Sequence, residues 1–396
     1  MTSTVAWNLV SAYYLNLPFS RNGLMDAFTP WSGAYQLRGP VWMSAHTTQF
    51  TEIGWSYLPH GMGVGHLEKG GSFVSVTNPE KSQLTMVLET MSHEKSKCTH
   101  TPVPSYSVQA QTATFQLSGS FANVEKLYHW KTQVINDYDS TLFEEQDPIQ
   151  VVNGRFSLDL SVDCVHTLTT LATGQKGGFL EAVPANFPFP LPYLEDFELY
   201  ELDEEPHYLA QQVGAWEVLQ EGGKKFVRQK VLAKPVQWCW ADKDETWPHA
   251  VLGNGSMRDL EMNVDLRFPS VNATKGVFIG VRVKAGGCDA KQVHGVLLWI
   301  IPGDSSWHLS ADISRKEQFK SGALPFQLKA GEWNNFGLHV SNERAEVFAG
   351  GQAIGNVALP NSLKSRDCNG FWKSKSCFPA IGLDSGFAIG GLCSSA

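Results

Sequence analysis

The sequence predicts a mainly β protein: a short mixed α/β segment, then two β-sandwich domains joined by a proline-rich linker. Three observations carry this reading. Residues 155–162 read RFSLDLSV, with Phe156, Leu158, Leu160 and Val162 in strict alternation, the period of a strand with one face buried. Residues 259–268 repeat the pattern with Leu260, Met262, Val264 and Leu266. Between these runs, Pro184, Pro188, Pro190 and Pro192 follow Gly174, Gly177 and Gly178. Proline at alternate positions removes ladder donors and favours extended backbone, as a linker requires.

The opening segment, residues 1–54, is dense in aromatics: Trp7, Tyr13, Tyr14, Trp31, Tyr35, Trp42 and Phe50. A stretch this apolar must be buried, yet it is too short to build a core alone. We read it as the last piece of a larger domain. Residues 2–10 have the composition of a buried strand, and 42–50 of a short helix. From residue 55 to 172 the pattern is that of short strands. Residues 72–76 and 83–90 flank the turn signal Asn78-Pro79-Glu80-Lys81-Ser82, and strands follow at 113–117 and 126–132. This is the signature of a β-sandwich. After the linker at 173–192, strands return at 277–283 and 294–302, the latter almost continuously apolar, as in a strand covered on both faces. Residues 333–340 and 345–349 enclose a hairpin. The region 193–396 resembles jelly-roll lectin and laminin-G-like sandwiches.

Composition excludes several classes. Of 396 residues 42% are hydrophobic, ample for cores, and the formal net charge of −8 argues against a nucleic-acid surface. No apolar run reaches the roughly 18 residues of a transmembrane helix. No basic and apolar leader follows Met1, yet Asn254-Gly-Ser and Asn272-Ala-Thr are glycosylation acceptors, useful only in a secretory lumen. A signal encoded upstream would reconcile the two. The seven cysteines, Cys98, Cys164, Cys239, Cys288, Cys368, Cys377 and Cys393, form no CxxC pair, so zinc and thioredoxin-type chemistry have little support.

The motifs are sparse. Glycoside hydrolysis needs two carboxyl groups, about 5–5.5 Å apart for retention of configuration. Asp26, Glu52, Glu68 and Glu89 are the candidates in and near the opening segment. None lies in an Asn-Glu pair or at an apolar strand end, and such carboxylates are usually surface groups. Gly61-Met-Gly-Val-Gly65 has no dinucleotide fingerprint and reads as a turn. The acidic run Glu195, Asp196, Glu198, Glu201, Asp203, Glu204 and Glu205 is either a solvated loop or a source of oxygens for calcium. Trp238 and Trp240, two apart, share one strand face, either as the floor of a sugar site or as core.

Longer stretches are specific. MTSTVAWNLV, PWSGAY, VWMSAHTTQF, GHLEKGGSF, ETMSHEKSKC and LTTLATGQKG resemble, in order, the galactocerebrosidase (galactosylceramidase) family of lysosomal retaining β-galactosidases. The resemblance implies the tail of a TIM (β/α)8 barrel, a β-sandwich and a lectin-like jelly roll. It implies that Trp7 lines a galactose pocket and that Trp238 reaches into it. Phe19 falls where the family has a pocket tyrosine, and His100 where it has a substrate-contacting arginine, so a permanent charge is exchanged for a titratable ring. The resemblance also implies that Cys98 has a disulfide partner upstream of this chain. A structural Ca2+ is implied at Asp196, Glu198 and the Phe226 carbonyl, although Glu198 replaces an asparagine and the tail GFAIGGLCSSA lacks the family's metal-binding aspartate. No cofactor is implied for catalysis. Both catalytic glutamates are implied to lie upstream of the position of Met1, so this chain alone is expected to be inactive and to be a fragment. The alternative is a short product that binds galactosides or glycolipids without turnover. The implied partners are a galactosylceramide-type glycolipid and a saposin-type lipid carrier; the implied location is the lysosome.

Overall fold

A computed structural model describes residues 9–12, 23–95, 104–136, 140–178, 183–230, 248–253, 257–274, 276–284 and 293–364, and the backbone of 378–382 and 388–395. They form two compact units, one built on Gln36–Val183 and one on Pro184–Ala396 together with Asp26–Tyr35. Among the described residues of the opening segment, Trp31 is a core residue of the second unit and Phe50 of the first, whereas Leu9, Val10 and Ile53 are exposed. Among the segment's described residues are short extended pieces at Val10–Ala12, Met25–Ala27 and Gln36–Leu37, a 3-10 turn at Pro30–Ser32 and one α-helix, α1 (Gly39–Thr48). The helix starts three residues ahead of the sequence expectation. Pro40, at a first-turn position, has φ preset for a helix and no missed hydrogen bond.

The first unit contains β1 (Ser56–Tyr57), β2 (Val64–His66), β3 (Ser72–Thr77), β4 (Leu84–Glu89), β5 (Gln111–Gln116), β6 (Lys126–Gln133), β7 (Thr141–Gln150), β8 (Arg155–Leu160) and β9 (Cys164–Thr169). Seven form one antiparallel sheet in the order β7-β6-β9-β4-β3-β1, with β2 also on β3; β5 and β8 form a separate two-stranded ribbon. The alternation read at 155–162 is the ribbon's: Phe156 and Leu160 are buried, Ser157 and Asp159 exposed. Phe156 joins Leu84, Met86, Leu88, Leu127 and Leu168 in a core on one face of the large sheet. On the other face Phe50, Trp130 and Phe143 pack with Ala45 of α1. The Gly61–Gly65 stretch is a turn, as expected: the amides of Met62 and Gly63 both donate to the Pro59 carbonyl.

Polar residues fasten α1 to this sheet. His46 lies between the hydroxyls of Thr132 and Thr167, 2.8 Å from each. Thr167 Oγ1 donates back to the His46 carbonyl. Burial, with His129 a second cause, pushes His46 down to about 4. His129 and Leu127 share the opposite face of β6 by strand alternation. There His129 Nε2 stands 2.9 Å from His166 Nδ1, the rings stacked at 5.2 Å, and burial lowers the pair to about 4 and about 3.

The second unit is a sandwich of two antiparallel sheets. Its strands are β10 (Tyr193–Glu195), β11 (Ala210–Val213), β12 (Trp216–Glu221), β13 (Lys224–Gln229), β14 (His249–Val251), β15 (Leu260–Arg267), β16 (Val277–Lys284), β17 (His294–Ile301), β18 (Ser306–Asp312), β19 (Gln318–Ala323), β20 (Trp333–Ser341), β21 (Arg344–Ala349), β22 (Gln352–Ala358), β23 (Phe378–Gly382) and β24 (Ala388–Ser395). One sheet runs β12-β13-β24-β15-β20-β21-β22 with β10 added to β24; the other runs β11-β14-β23-β16-β17-β18-β19. The run at 294–302 is covered on both faces, as its composition predicts. Val296, Leu298 and Ile300 point into the core between the sheets, and Leu297, Trp299 and Ile301 into a second cluster. The indole of Trp307 fills a slot between the sheets. A Cβ on Gly322 of β19 would stand 2.8 Å from it, and one on Gly355 of β22 2.7 Å. Arg282, 3% exposed, ties strand ends together through the carbonyls of Arg258, Leu363 and Asn342 and the Asp259 carboxylate.

Candidate functional site

Of the residues singled out in the sequence, Trp7, Phe19, Cys98, His100, Trp238, Trp240 and Asn254 lie outside the described residues. The structure places Asp196, Glu198 and Phe226, the four candidate carboxylates, Asn272 and Cys164. Cys164 is a buried, unbridged thiol whose pKa is raised by burial. Asn272 and Thr274 are exposed in the loop between β15 and β16, where a glycosylation acceptor must lie. Glu52 and Glu68 are exposed. Glu89 is committed locally: it accepts from Ser72 Oγ at 2.6 Å and from the Met91 amide at 2.8 Å. Asp26 is buried.

The acidic run folds as a self-bonded loop after β10. Glu195 accepts from the phenols of Tyr193 and Tyr200, both at 2.9 Å, and from the Phe197 amide at 2.8 Å. Burial first, then the Glu195 charge, raises both phenols above the ordinary tyrosine range. Phe197 takes a left-handed φ of +63° and is fully buried, so the loop is plugged into the core by its own aromatic. Asp196 Oδ1 accepts from the Glu198 amide at 3.1 Å. Glu198 Oε1 accepts from the Lys225 amide at 3.0 Å. The Glu204 carboxylate accepts from the Glu201 amide, which is the first cause of its lowered pKa, and contacts His207.

Phe226 follows Lys225 on β13, and its side chain takes the opposite face. It is 1% exposed because two guanidiniums cover it, Arg267 at 4.7 Å and Arg228 at 5.2 Å from the ring centre. Arg267 also lies over Trp333, and Glu221 accepts from both arginines. The Arg267 hydrogen bond is the main cause of the lowered Glu221 pKa. Lys225, which sequence reasoning passed over, is the cation that reaches the acidic loop: its Nζ donates to the carbonyls of Glu198 at 3.1 Å and Tyr200 at 2.6 Å. Its signal was available, a lysine following a Gly-Gly turn on a strand opposite an acidic run.

Comparison with known proteins places the chain in a family of glycoside hydrolases. Three family models match in chain order: "Glycosyl hydrolase family 59" over residues 1–49, "Glycosyl hydrolase family 59 central domain" over 57–175, and "Galactocerebrosidase, C-terminal lectin domain" over 211–372. The chain belongs to glycosyl hydrolase family 59, the galactocerebrosidase family. It is 40% identical over 348 residues to galactocerebrosidase of Danio rerio, covering 86% of this chain and 51% of that protein. It is 40% identical over 322 residues to that of Homo sapiens, covering 79% and 46%. A putative galactocerebrosidase of Caenorhabditis elegans is 25% identical over 375 residues, covering 93% and 54%. The chain thus spans about half the length of the curated relatives it matches. Among solved structures, the carbohydrate-binding module CBM66 from Bacillus subtilis matches with a TM-score of 0.33 and 9% identity, covering 48% of this chain and 95% of that one.

Proposed function

We propose that this chain is the sandwich and lectin-like portion of a galactosylceramidase, an enzyme that removes β-linked galactose from galactosylceramide and related sphingolipids. The observation that carries the reading is the ordered match of three family models, with galactocerebrosidases the relatives at up to 40% identity. In this reading residues 1–54 close a (β/α)8 barrel. The reaction is a retaining double displacement in which one glutamate attacks the anomeric carbon and the other acts first as acid, then as base. Both glutamates come from outside this sequence. The local commitment of Glu89 supports leaving it out of that role. Trp7 and Trp238 present indole faces to galactose C–H groups, and His100 meets the substrate with a ring that is cationic only at acid pH. The enzyme works in the lysosome with a saposin-type lipid carrier, glycosylated at Asn254 and Asn272.

The polypeptide of this sequence alone, with no carboxylate assigned to attack, binds galactosides without turnover. The test is to precipitate the native protein with antibodies raised against residues 193–396 and to assay it against galactosylceramide and glucosylceramide at acid pH, beside the purified chain. Galactosylceramide cleavage by the precipitate and none by the purified chain supports the reading. Preference for glucosylceramide, or turnover by the chain itself, overturns it.

A further inference from the structure

The acidic loop carries seven carboxylates between Glu195 and Glu205, a density that calls for a cation. A calcium ion would need six to eight oxygens converging on one point. Four of these carboxylates, those of Glu195, Asp196, Glu198 and Glu204, accept hydrogen bonds from protein groups. All three donors to Glu195 come from within 193–200, and Asp196 and Glu198 each accept a backbone amide. Two main-chain carbonyls, those of Glu198 and Tyr200, do converge, and Lys225 Nζ already stands on both. Lys225 leaves β13 on the same side as the core residue Val227. The neighbouring strand supplies no replacement. Glu195 pairs with Leu392 on β24, and residues 388–395 contain neither aspartate nor glutamate.

We propose that the ammonium of Lys225 is the resident cation of this loop and that the C-terminal sandwich holds its acidic run without a metal ion. An ammonium suits the position. It donates up to three directed hydrogen bonds, and 2.6–3.1 Å is donor–acceptor spacing, longer than the 2.3–2.6 Å of calcium–oxygen bonds. The proposal does not depend on the enzyme's substrate.

The test uses the full chain, stripped with EDTA and returned to buffer with and without about 5 mM calcium, well above the dissociation constants of weak extracellular sites. Calorimetry and hydrogen exchange over residues 195–205 are the readouts. The melting temperature and the exchange rates are expected to be the same with and without calcium. A saturable rise in melting temperature, or protection of the loop by calcium, overturns the proposal. In Lys225→Met the two carbonyls lose their donor, so the melting temperature falls by about 2–4 °C and the loop amides exchange about tenfold faster. Exchange at the wild-type rate in Lys225→Met also overturns it. If Lys225→Met does not fold, the calcium measurement on the wild-type chain decides.

Discussion

A buried imidazole held by two hydroxyls is neutral, and its neutrality ties folding to pH. His46, His129 and His166 titrate in the folded first unit near 4, 4 and 3, against 6.5 when unfolded. Because the folded values are depressed, the unfolded chain binds protons first. Stability is therefore fully present above pH 6.5 and is lost as pH falls from 6.5 toward 4, and toward 3 for His166. Each ring is worth on the order of 3 kcal/mol across its window. Urea midpoints should drop between about pH 7 and pH 4.5, and His46→Gln should flatten that dependence while lowering the midpoint at neutral pH. An unchanged slope in His46→Gln would remove His46 from the account. None of this was legible in the sequence. A histidine in SAHTTQF signals nothing until Thr132 and Thr167 are brought to it from two other strands.

The elements were legible where burial follows a regular pattern, alternating for one covered face and unbroken for two. The alternation of Leu260, Met262, Val264 and Leu266 gave β15, and the unbroken run at 294–302 gave a doubly covered strand. β9 was not read, because Cys-Val-His-Thr-Leu-Thr is half polar in sequence and wholly buried in the structure. Its threonines are paired: Thr169 Oγ1 meets Thr85 Oγ1 at 2.8 Å. β7 was hidden by Pro148, which is tolerated because β7 is an edge strand. The β12–β13 hairpin carried a readable signal, Gly222 and Gly223 with φ of +59° and +83°, the positive-φ pair that two-residue hairpin turns demand. The prediction at this scale concerns Arg282. Replacing it with methionine leaves the Arg258, Leu363 and Asn342 carbonyls without their donor and should cost about 2–4 kcal/mol in a denaturant melt. A loss below about 1 kcal/mol would show that water replaces the guanidinium.

For the whole molecule, the order of parts was legible because long motifs survive where single residues do not. The pocket residues that the resemblance assigns, Trp7, Phe19, His100 and Trp238, lie outside the described residues. The exposed position of Asn272 carries a prediction of its own. When the chain is expressed through the secretory route, the enzyme that removes N-glycans should lower its mass, and Asn272→Gln should abolish one increment of that change. No change in the mutant would mean that the site is unused. The slot around Trp307 bears on the history of the fold. Its walls are Gly322 and Gly355, one from each sheet, and neither position can gain a Cβ while the indole stays. The three positions are therefore one unit of inheritance: related sequences should keep both glycines with the tryptophan, or change all three together.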